Sequence, residues 1–167
     1  MALKRYARVR LEMVREKNLY TDIRYLDTPQ KAAEFAKDLF YKSNDKEYRS
    51  PCKEMLLTCC LSTKNEPLVI EWTSIGDSHS SIASPKEILL PALMSNSTGI
   101  ICIHNHPSND PSPSLADSIM YKRIYEASRI LGIELVDNII ISESRGYYSF
   151  KEGSFGNWND EKLQNAG

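Results

Sequence analysis

The sequence predicts a single α/β domain, and three observations support this prediction. Apolar runs of strand length alternate along the chain with capped segments of helical spacing. The apolar runs occupy residues 55–61, 67–75, 99–103, 133–142 and 147–150. A chain of 167 residues, 41% apolar and 26% charged, can bury a core without a disulfide or a structural metal.

The first predicted elements are a strand and a helix. Residues 5–14 alternate between polar and apolar side chains, which is typical of an edge strand with one solvated face. Thr28 followed by Pro29 predicts a helix start, because threonine caps helices and proline favours their first position. We expect this helix to fade by Ser43 and Asn44.

The next predicted elements are a hairpin, a helix and a strand. The runs 55–61 and 67–75 are separated by turn-like residues and predict a β-hairpin. Ser84 and Glu87 form a capping box that starts a helix through Met94, with a kink expected at Pro91. Residues 99–103 predict a buried strand that ends directly at His104.

The last predicted elements are a helix and a closing hairpin. Ser114 and Asp117 resemble a second capping box, and the helix that follows should end at Gly132. Residues 133–142 then predict a strand that turns at Gly146 into residues 147–150. We divide the chain into a strand-and-helix extension (1–50), a core (51–152) and a loosely ordered tail (153–167).

Charge and cysteine content narrow the partners and the compartment. The net charge of −1 gives no general attraction to nucleic acid, so such a partner is not supported. Four cysteines without a CxxC pair predict reduced, buried thiols and a cytoplasmic location, and no long apolar span suggests a membrane. We expect a protein or peptide substrate, and a homodimer is the candidate assembly, with residues 5–14 as an available edge.

Two histidines and one aspartate predict a metal site. His104 and His106 lie at i and i+2 of an extended segment, so their side chains point to the same face. Asp117 follows in the first turn of the next helix, where the helix dipole favours an anion. Two imidazole nitrogens and one carboxylate oxygen suit Zn²⁺ with a fourth position left for water, and an open position implies catalysis.

Hydrolysis at such a site also needs a proton acceptor and an oxyanion donor. Ser114 can supply the hydroxyl donor. The candidate general acid/base residues are Glu54, Glu66, Glu71 and Glu87, and Glu54 is favoured because it begins an apolar strand.

Each of these residues also has an ordinary structural explanation. A His-x-His pair on its own is more often found in a core or on a surface than in a metal site. Ser114 could serve only as a helix cap, and Glu54 could be a solvated carboxylate at a strand end. His79, in a serine-rich segment, is expected to be solvated. The spacing of the whole set favours the metal site.

That spacing resembles a known family. His104, Asn105, His106, Pro107 and Ser108, followed by Pro111, Pro113, Ser114 and Asp117, are similar to the metal-binding signature of the JAB/MPN (JAMM) metallopeptidase superfamily, especially its RadC-like branch. The resemblance covers roughly residues 50–150, and residues 7–44 are similar to the strand and helix that precede this domain in short RadC-like proteins.

The resemblance implies a fold, a reaction and roles. It implies a mixed β-sheet flanked by helices, similar to cytidine deaminases, with zinc held by His104, His106 and Asp117 and with Glu54 as the catalytic acid/base. The implied reaction is zinc-dependent hydrolysis of a peptide or isopeptide bond. Two departures stand out: Asn109 occupies a position that is usually glycine, and Asn138 one that is usually histidine.

Three functions remain open at this point. The leading one is a zinc metalloprotease or isopeptidase. The second is a RadC-like adaptor associated with DNA repair or mobile elements, without proteolysis. The third is a zinc hydrolase of a non-peptide amide or a nucleobase. The sequence lacks the His-x-Glu and Pro-Cys-x-x-Cys pattern of deaminases, which makes this third function the weakest.

Overall fold

The structure is a computed structural model that describes residues 12–14, 22–42, 53–76 and 83–157. The helices are α1 (Pro29–Lys37), followed by a π-helical turn (Asp38–Lys42), α2 (Pro85–Met94) and α3 (Leu115–Leu131). The strands are β1 (Glu54–Leu61), β2 (Pro67–Gly76), β3 (Gly99–Asn105), β4 (Glu134–Ile141), β5 (Tyr147–Ser149) and β6 (Ser154–Gly156).

The six strands form one mixed sheet in the order β2-β1-β3-β4-β5-β6. β3 and β4 run parallel, and the other neighbouring strands pair antiparallel. The parallel pair needs a crossover connection, and α3 provides it. The predicted α/β class with a mixed sheet and flanking helices is therefore confirmed.

Each face of the sheet carries its own apolar core. Residues of α1 and the π-helical turn pack on one face, where the ring of Phe40 meets that of Trp72 edge-on with centroids 4.7 Å apart. Residues of α2 and α3 pack on the other face. Because both faces are covered, β1 and β3 are buried almost throughout and consist mostly of large apolar residues. No helix in the described parts of the chain is long and apolar enough to cross a membrane.

The predicted helix starts are confirmed. The Thr28 hydroxyl accepts a hydrogen bond from the Lys31 N–H, and Pro29 begins α1. Ser84 and Ser114 each form a full capping box, as the sequence predicts. Gly132 ends α3 with a φ of 70°, the left-handed conformation that glycine adopts without strain. Pro91 lies inside α2, and the expected kink stays a prediction.

The prediction that β3 ends at Ile103 is wrong. β3 continues through His104 and Asn105, because both residues still pair with β4, opposite Ile140 and Ile141. The first predicted metal ligand is therefore part of the sheet, and the second follows one residue after its end.

The structure also differs from the prediction near the C-terminus. β6 lies in the segment assigned to the tail, where Tyr148 pairs with Phe155. The predicted strand over residues 5–14 falls almost entirely outside the described residues, as do His79, Cys52 and residues 158–167. The three-part division of the chain stays a prediction.

The described cysteines are free and buried. Cys59 and Cys60 lie in β1, and Cys102 lies in β3. Burial disfavours the thiolate and raises the pKa of Cys60 to about 12. Such thiols are poor nucleophiles, which fits the structural role expected for them.

Asp137 in β4 is a buried carboxylate that organises the turn after β5. It accepts hydrogen bonds from the backbone N–H groups of Asn138 (2.7 Å) and Lys151 (3.0 Å) and from the Ser149 hydroxyl (2.7 Å). Burial outweighs these bonds and raises the pKa of Asp137 above its ordinary value.

The raised pKa predicts that Asp137→Asn stabilises the fold at pH 7. Ionising the carboxylate costs more in the folded chain than in the unfolded chain, so wild-type stability declines as pH rises through the folded-state pKa. Asparagine does not ionise, its oxygen can accept from both backbone N–H groups, and its amide nitrogen can donate to the Ser149 hydroxyl instead of accepting from it. Urea unfolding from pH 4 to 8 should show an advantage for the variant that shrinks toward pH 4, and a pH-independent difference would contradict this. As a control, Asp137→Ala should cost about 2–3 kcal/mol because three donors lose their acceptor.

Candidate metal centre

The sheet places the predicted ligands at one end of β3. Alternation along β3 puts His104 on the same face as Ile100 and Cys102, the face that α2 and α3 cover. His106 follows the strand, and its backbone N–H still donates to the carbonyl of Ile141. Both imidazoles therefore face the first turn of α3.

The two imidazoles and the carboxylate of Asp117 converge. The Nε2 atoms of His104 and His106 lie 3.2 Å apart. Oδ1 of Asp117 lies 3.2 Å from the first Nε2, and Oδ2 lies 3.5 Å from the second. The side chains of His104 and Asp117 are only 8% and 4% exposed, so this polar cluster is removed from bulk water.

Glu54 completes the cluster from the neighbouring strand. In the antiparallel pair of β1 and β3, Leu56 lies opposite His104, so the residue two positions earlier on the same face reaches toward His106. Glu54, His104, His106 and Asp117 each offer one ligand atom, and these four atoms lie within 4.8 Å of one another. Such a group could hold a metal ion.

The other acidic candidates lie elsewhere in the structure. Glu87 belongs to the capping box of α2, where its carboxylate accepts from the Ser84 N–H at 2.7 Å. Glu66 pairs with Arg24 at the surface. Glu71 lies on β2, opposite Thr58 of β1. Of the four glutamates raised by the sequence, Glu54 alone is part of the metal-binding group found among the described residues.

A hydrogen bond to the backbone sets the tautomer of His106 that can bind a cation. Its Nδ1 lies 2.8 Å from the backbone carbonyl of Asp110, and a carbonyl can only accept, so Nδ1 carries the hydrogen. In the neutral ring, the Nε2 lone pair then points at the cluster, as metal coordination requires. Burial lowers the pKa of His106, but hydrogen bonds to Asp117 and Asp110 outweigh burial and raise it.

Ser114 holds Asp117 in place. Its backbone N–H and its hydroxyl donate to Oδ2 at 2.7 and 2.5 Å, and its hydroxyl accepts from the Asp117 N–H. Burial opposes ionisation of Asp117, but hydrogen bonds from the two histidines and Ser114 hold its pKa well below the usual range. Oδ1 remains directed at His104. The hydroxyl of Ser114 is engaged with Asp117 here, and its oxyanion role stays a prediction.

The loop after His106 is fixed to the turn between β4 and β5. Asn109 has a φ of 61°, in the left-handed region that glycine, asparagine and aspartate tolerate best. Its side chain donates to the Ser144 hydroxyl at 2.7 Å and accepts from the Ser144 N–H at 3.0 Å. The departure from glycine thus keeps the backbone conformation and adds a contact between two loops.

Sequence reasoning missed two features of this site. The carbonyl of Asp110 orients His106, and a backbone group leaves no signature in the residue type. Asn105 binds the backbone of β1 on both sides of Glu54, and its position between two candidate ligands is the one signal that pointed to it. Asn138, the second departure, is buried in β4.

Comparison with known proteins gives consistent matches. The family described as "RadC-like JAB domain" matches residues 26–155. A UPF0758 protein of Methanosarcina barkeri is 40% identical over 131 residues, which cover 78% of this chain and 56% of the relative. UPF0758 proteins of Alkaliphilus metalliredigens and Thermotoga maritima are 46% and 34% identical, covering 65% and 76% of this chain and 46% and 53% of theirs. The chain thus spans about half the length of the curated relatives it matches.

The convergence of donors predicts that the protein binds about one divalent transition-metal ion through His106. His106→Ala should lower the affinity by more than the ten- to hundredfold that loss of an outer contact causes, because a direct ligand is removed. Competition titration with a chelator, using Zn²⁺ and Co²⁺, measures this. Glu66→Gln, which alters an exposed carboxylate beside Arg24, is the control and should bind like wild type. Full metal retention by a folded His106→Ala protein would rule the site out.

The left-handed φ of Asn109 predicts an ordered series of stabilities. Asn109→Gly loses the contacts with Ser144 but keeps the backbone conformation. Asn109→Ala loses the same contacts and must also hold a Cβ at positive φ, which should cost about 1 kcal/mol more. Thermal unfolding of the metal-free protein compares them, with Ser144→Ala as the control for the hydroxyl contact. Equal stability of the glycine and alanine variants would argue against this conformation.

Proposed function

This chain belongs to the RadC-like JAB domain family, and we propose that it is a zinc-dependent hydrolase of peptide or isopeptide bonds. One observation carries the proposal: an acidic side chain from β1, one imidazole from β3, the imidazole that follows β3 and a carboxylate from α3 offer ligand atoms within 4.8 Å of one another. Metal binding needs the histidines and Asp117. Hydrolysis needs, in addition, a base beside them.

The donor set fits zinc. His104 and His106 offer Nε2 atoms, and Asp117 offers Oδ1, which is the mixture of nitrogen and oxygen that zinc accepts in catalytic sites. Three protein ligands leave room for a water molecule. A bound zinc supplies Lewis-acid chemistry that makes water nucleophilic near neutral pH.

The chain itself supplies the proton transfer. In the proposal, the carboxylate of Glu54 accepts the proton that the attacking water loses and returns it to the departing amine nitrogen. Glu54, at the start of β1, and His106 are both half-buried, whereas His104 and Asp117 are buried, so a substrate could approach from the side of Glu54 and His106. Asp110 and Ser114 keep His106 and Asp117 in orientations that do not depend on substrate.

The burial of this cluster argues for hydrolysis over an adaptor role. Placing two imidazoles and a carboxylate in a largely dehydrated pocket costs free energy that a packed apolar corner would not. An adaptor surface needs neither the buried carboxylate nor a base beside it. Hydrolysis requires this energetically costly arrangement, and binding to a partner surface does not.

The proposed role of Glu54 predicts that Glu54→Gln keeps the metal and loses turnover. Removing a general base should reduce kcat by at least about a hundredfold. Metal-loaded protein is incubated with a library of peptides and isopeptide-linked pairs, and new amino groups are detected by mass spectrometry. Glu66→Gln removes an exposed carboxylate and is the matched control.

Two results would count against the proposal. Equal turnover by Glu54→Gln and wild type would remove Glu54 from its role. Metal-loaded wild type that cleaves nothing, yet binds DNA in a salt-sensitive manner that is indifferent to Glu54→Gln, would favour the adaptor instead.

A further inference from the structure

Asn105 lies between the two histidines and is 1% exposed. Its Oδ1 accepts a hydrogen bond from the Met55 N–H at 2.8 Å, and its Nδ2 donates to the Lys53 carbonyl at 2.9 Å. The orientation of the amide is fixed by chemistry, because a backbone N–H can only donate and a carbonyl can only accept.

These two bonds enclose the backbone of Glu54. The Lys53 carbonyl and the Met55 N–H belong to the peptide groups that join Glu54 to its neighbours on either side. The backbone pairing of β1 with β3 is recorded only as far as Leu56 and His104. The side chain of Asn105 therefore continues the attachment of β1 to β3 beyond the last backbone pair.

We propose that Asn105 is a positioning residue that holds the carboxylate of Glu54 at the two histidines. Without its amide, this end of β1 would be held on one side only, by the pairing of Glu54 with Gly76 of β2, and β3 would no longer fix its distance from the histidines. A residue that sits between the two imidazoles in sequence thus sets the distance from the acidic side chain to both. Its amide oxygen and nitrogen both face β1, so Asn105 acts through Glu54.

The inference rests on the proposed function for its catalytic consequence, but its structural part can be measured alone. Ser142 offers a matched control, because it is also fully buried and also bridges backbone groups: its hydroxyl accepts from the Arg145 N–H and donates to the Gly146 carbonyl. Ser142 follows β4, which β3 separates from β1 in the sheet, and both hydrogen bonds of its hydroxyl stay within the turn before β5. Its loss should destabilise the fold without touching β1.

The first test is amide hydrogen exchange by NMR on the full chain. Asn105→Ala should speed exchange of the Met55 amide by about five- to tenfold, the effect of losing one hydrogen bond, while interior amides such as Cys59 keep their protection. Ser142→Ala should leave the Met55 amide unchanged. Unchanged exchange at Met55 in Asn105→Ala would overturn the proposal, whatever the protein hydrolyses.

The second test is a cycle of variants in metal-loaded protein. Asn105→Ala should lower kcat by about ten- to hundredfold with KM and zinc affinity nearly unchanged, and it should cause no further loss in a Glu54→Gln background. If the losses in kcat caused by Asn105→Ala and Glu54→Gln multiply in the double variant, Asn105 acts independently of Glu54 and the proposal is overturned. If no substrate is turned over by wild type, the proposed function fails while the exchange measurement still decides the role of Asn105.

Asn105→Asp covers the case in which the alanine variant does not fold. Ionised aspartate can still accept from the Met55 N–H but cannot donate to the Lys53 carbonyl, so this variant is measured at a pH at which its carboxyl is ionised. The Met55 amide should therefore stay protected while kcat falls, because one half of the attachment is lost. Wild-type turnover by the folded aspartate variant would contradict a role for the Lys53 contact.

Discussion

The pairing of Leu56 with His104 determines which acidic side chain reaches the two histidines of the candidate metal centre. Strand side chains alternate, so a shift of one residue would turn Glu54 to the face covered by α1 and remove it from the histidines. β1 is apolar on both faces, so burial alone does not select between registers. Polar contacts at the two ends select it: the Thr98 N–H binds the Leu61 carbonyl at one end, and Asn105 binds Met55 and Lys53 at the other.

A helix cap, not the sheet, places the remaining carboxylate of the cluster. Asp117 is the third residue of α3, and its position follows from the capping box with Ser114 rather than from the sheet. The loop between His106 and Ser114 connects the end of β3 to the cap of α3. Asn109 fixes that loop to Ser144, and the carbonyl of Asp110 fixes it to the imidazole of His106. The cluster therefore combines strand register, a helix cap and one ordered loop.

Much of this arrangement could be predicted from the sequence because its signals are local. Caps, proline positions and apolar runs identify the helices and most strands, and the spacing of His104, His106 and Asp117 suggests a cluster. The pairing of β1 with β3 is not local, so the sequence left four glutamates as candidates. The start of an apolar strand favoured Glu54, and the family resemblance selected the same residue. The polar residues at the end of β3 suggested a strand end, yet His104 and Asn105 still pair with β4. β6 is too short and too polar to be recognised by pattern.

One carboxylate both begins a helix and faces the imidazoles. Oδ2 of Asp117 accepts from the backbone N–H and the hydroxyl of Ser114, and these two hydrogen bonds hold the first turn of α3 without needing an ion. Small zinc domains lose their fold with their metal. Here a large two-sided core holds the chain together, so we expect the fold to persist when an ion bound at this cluster is removed.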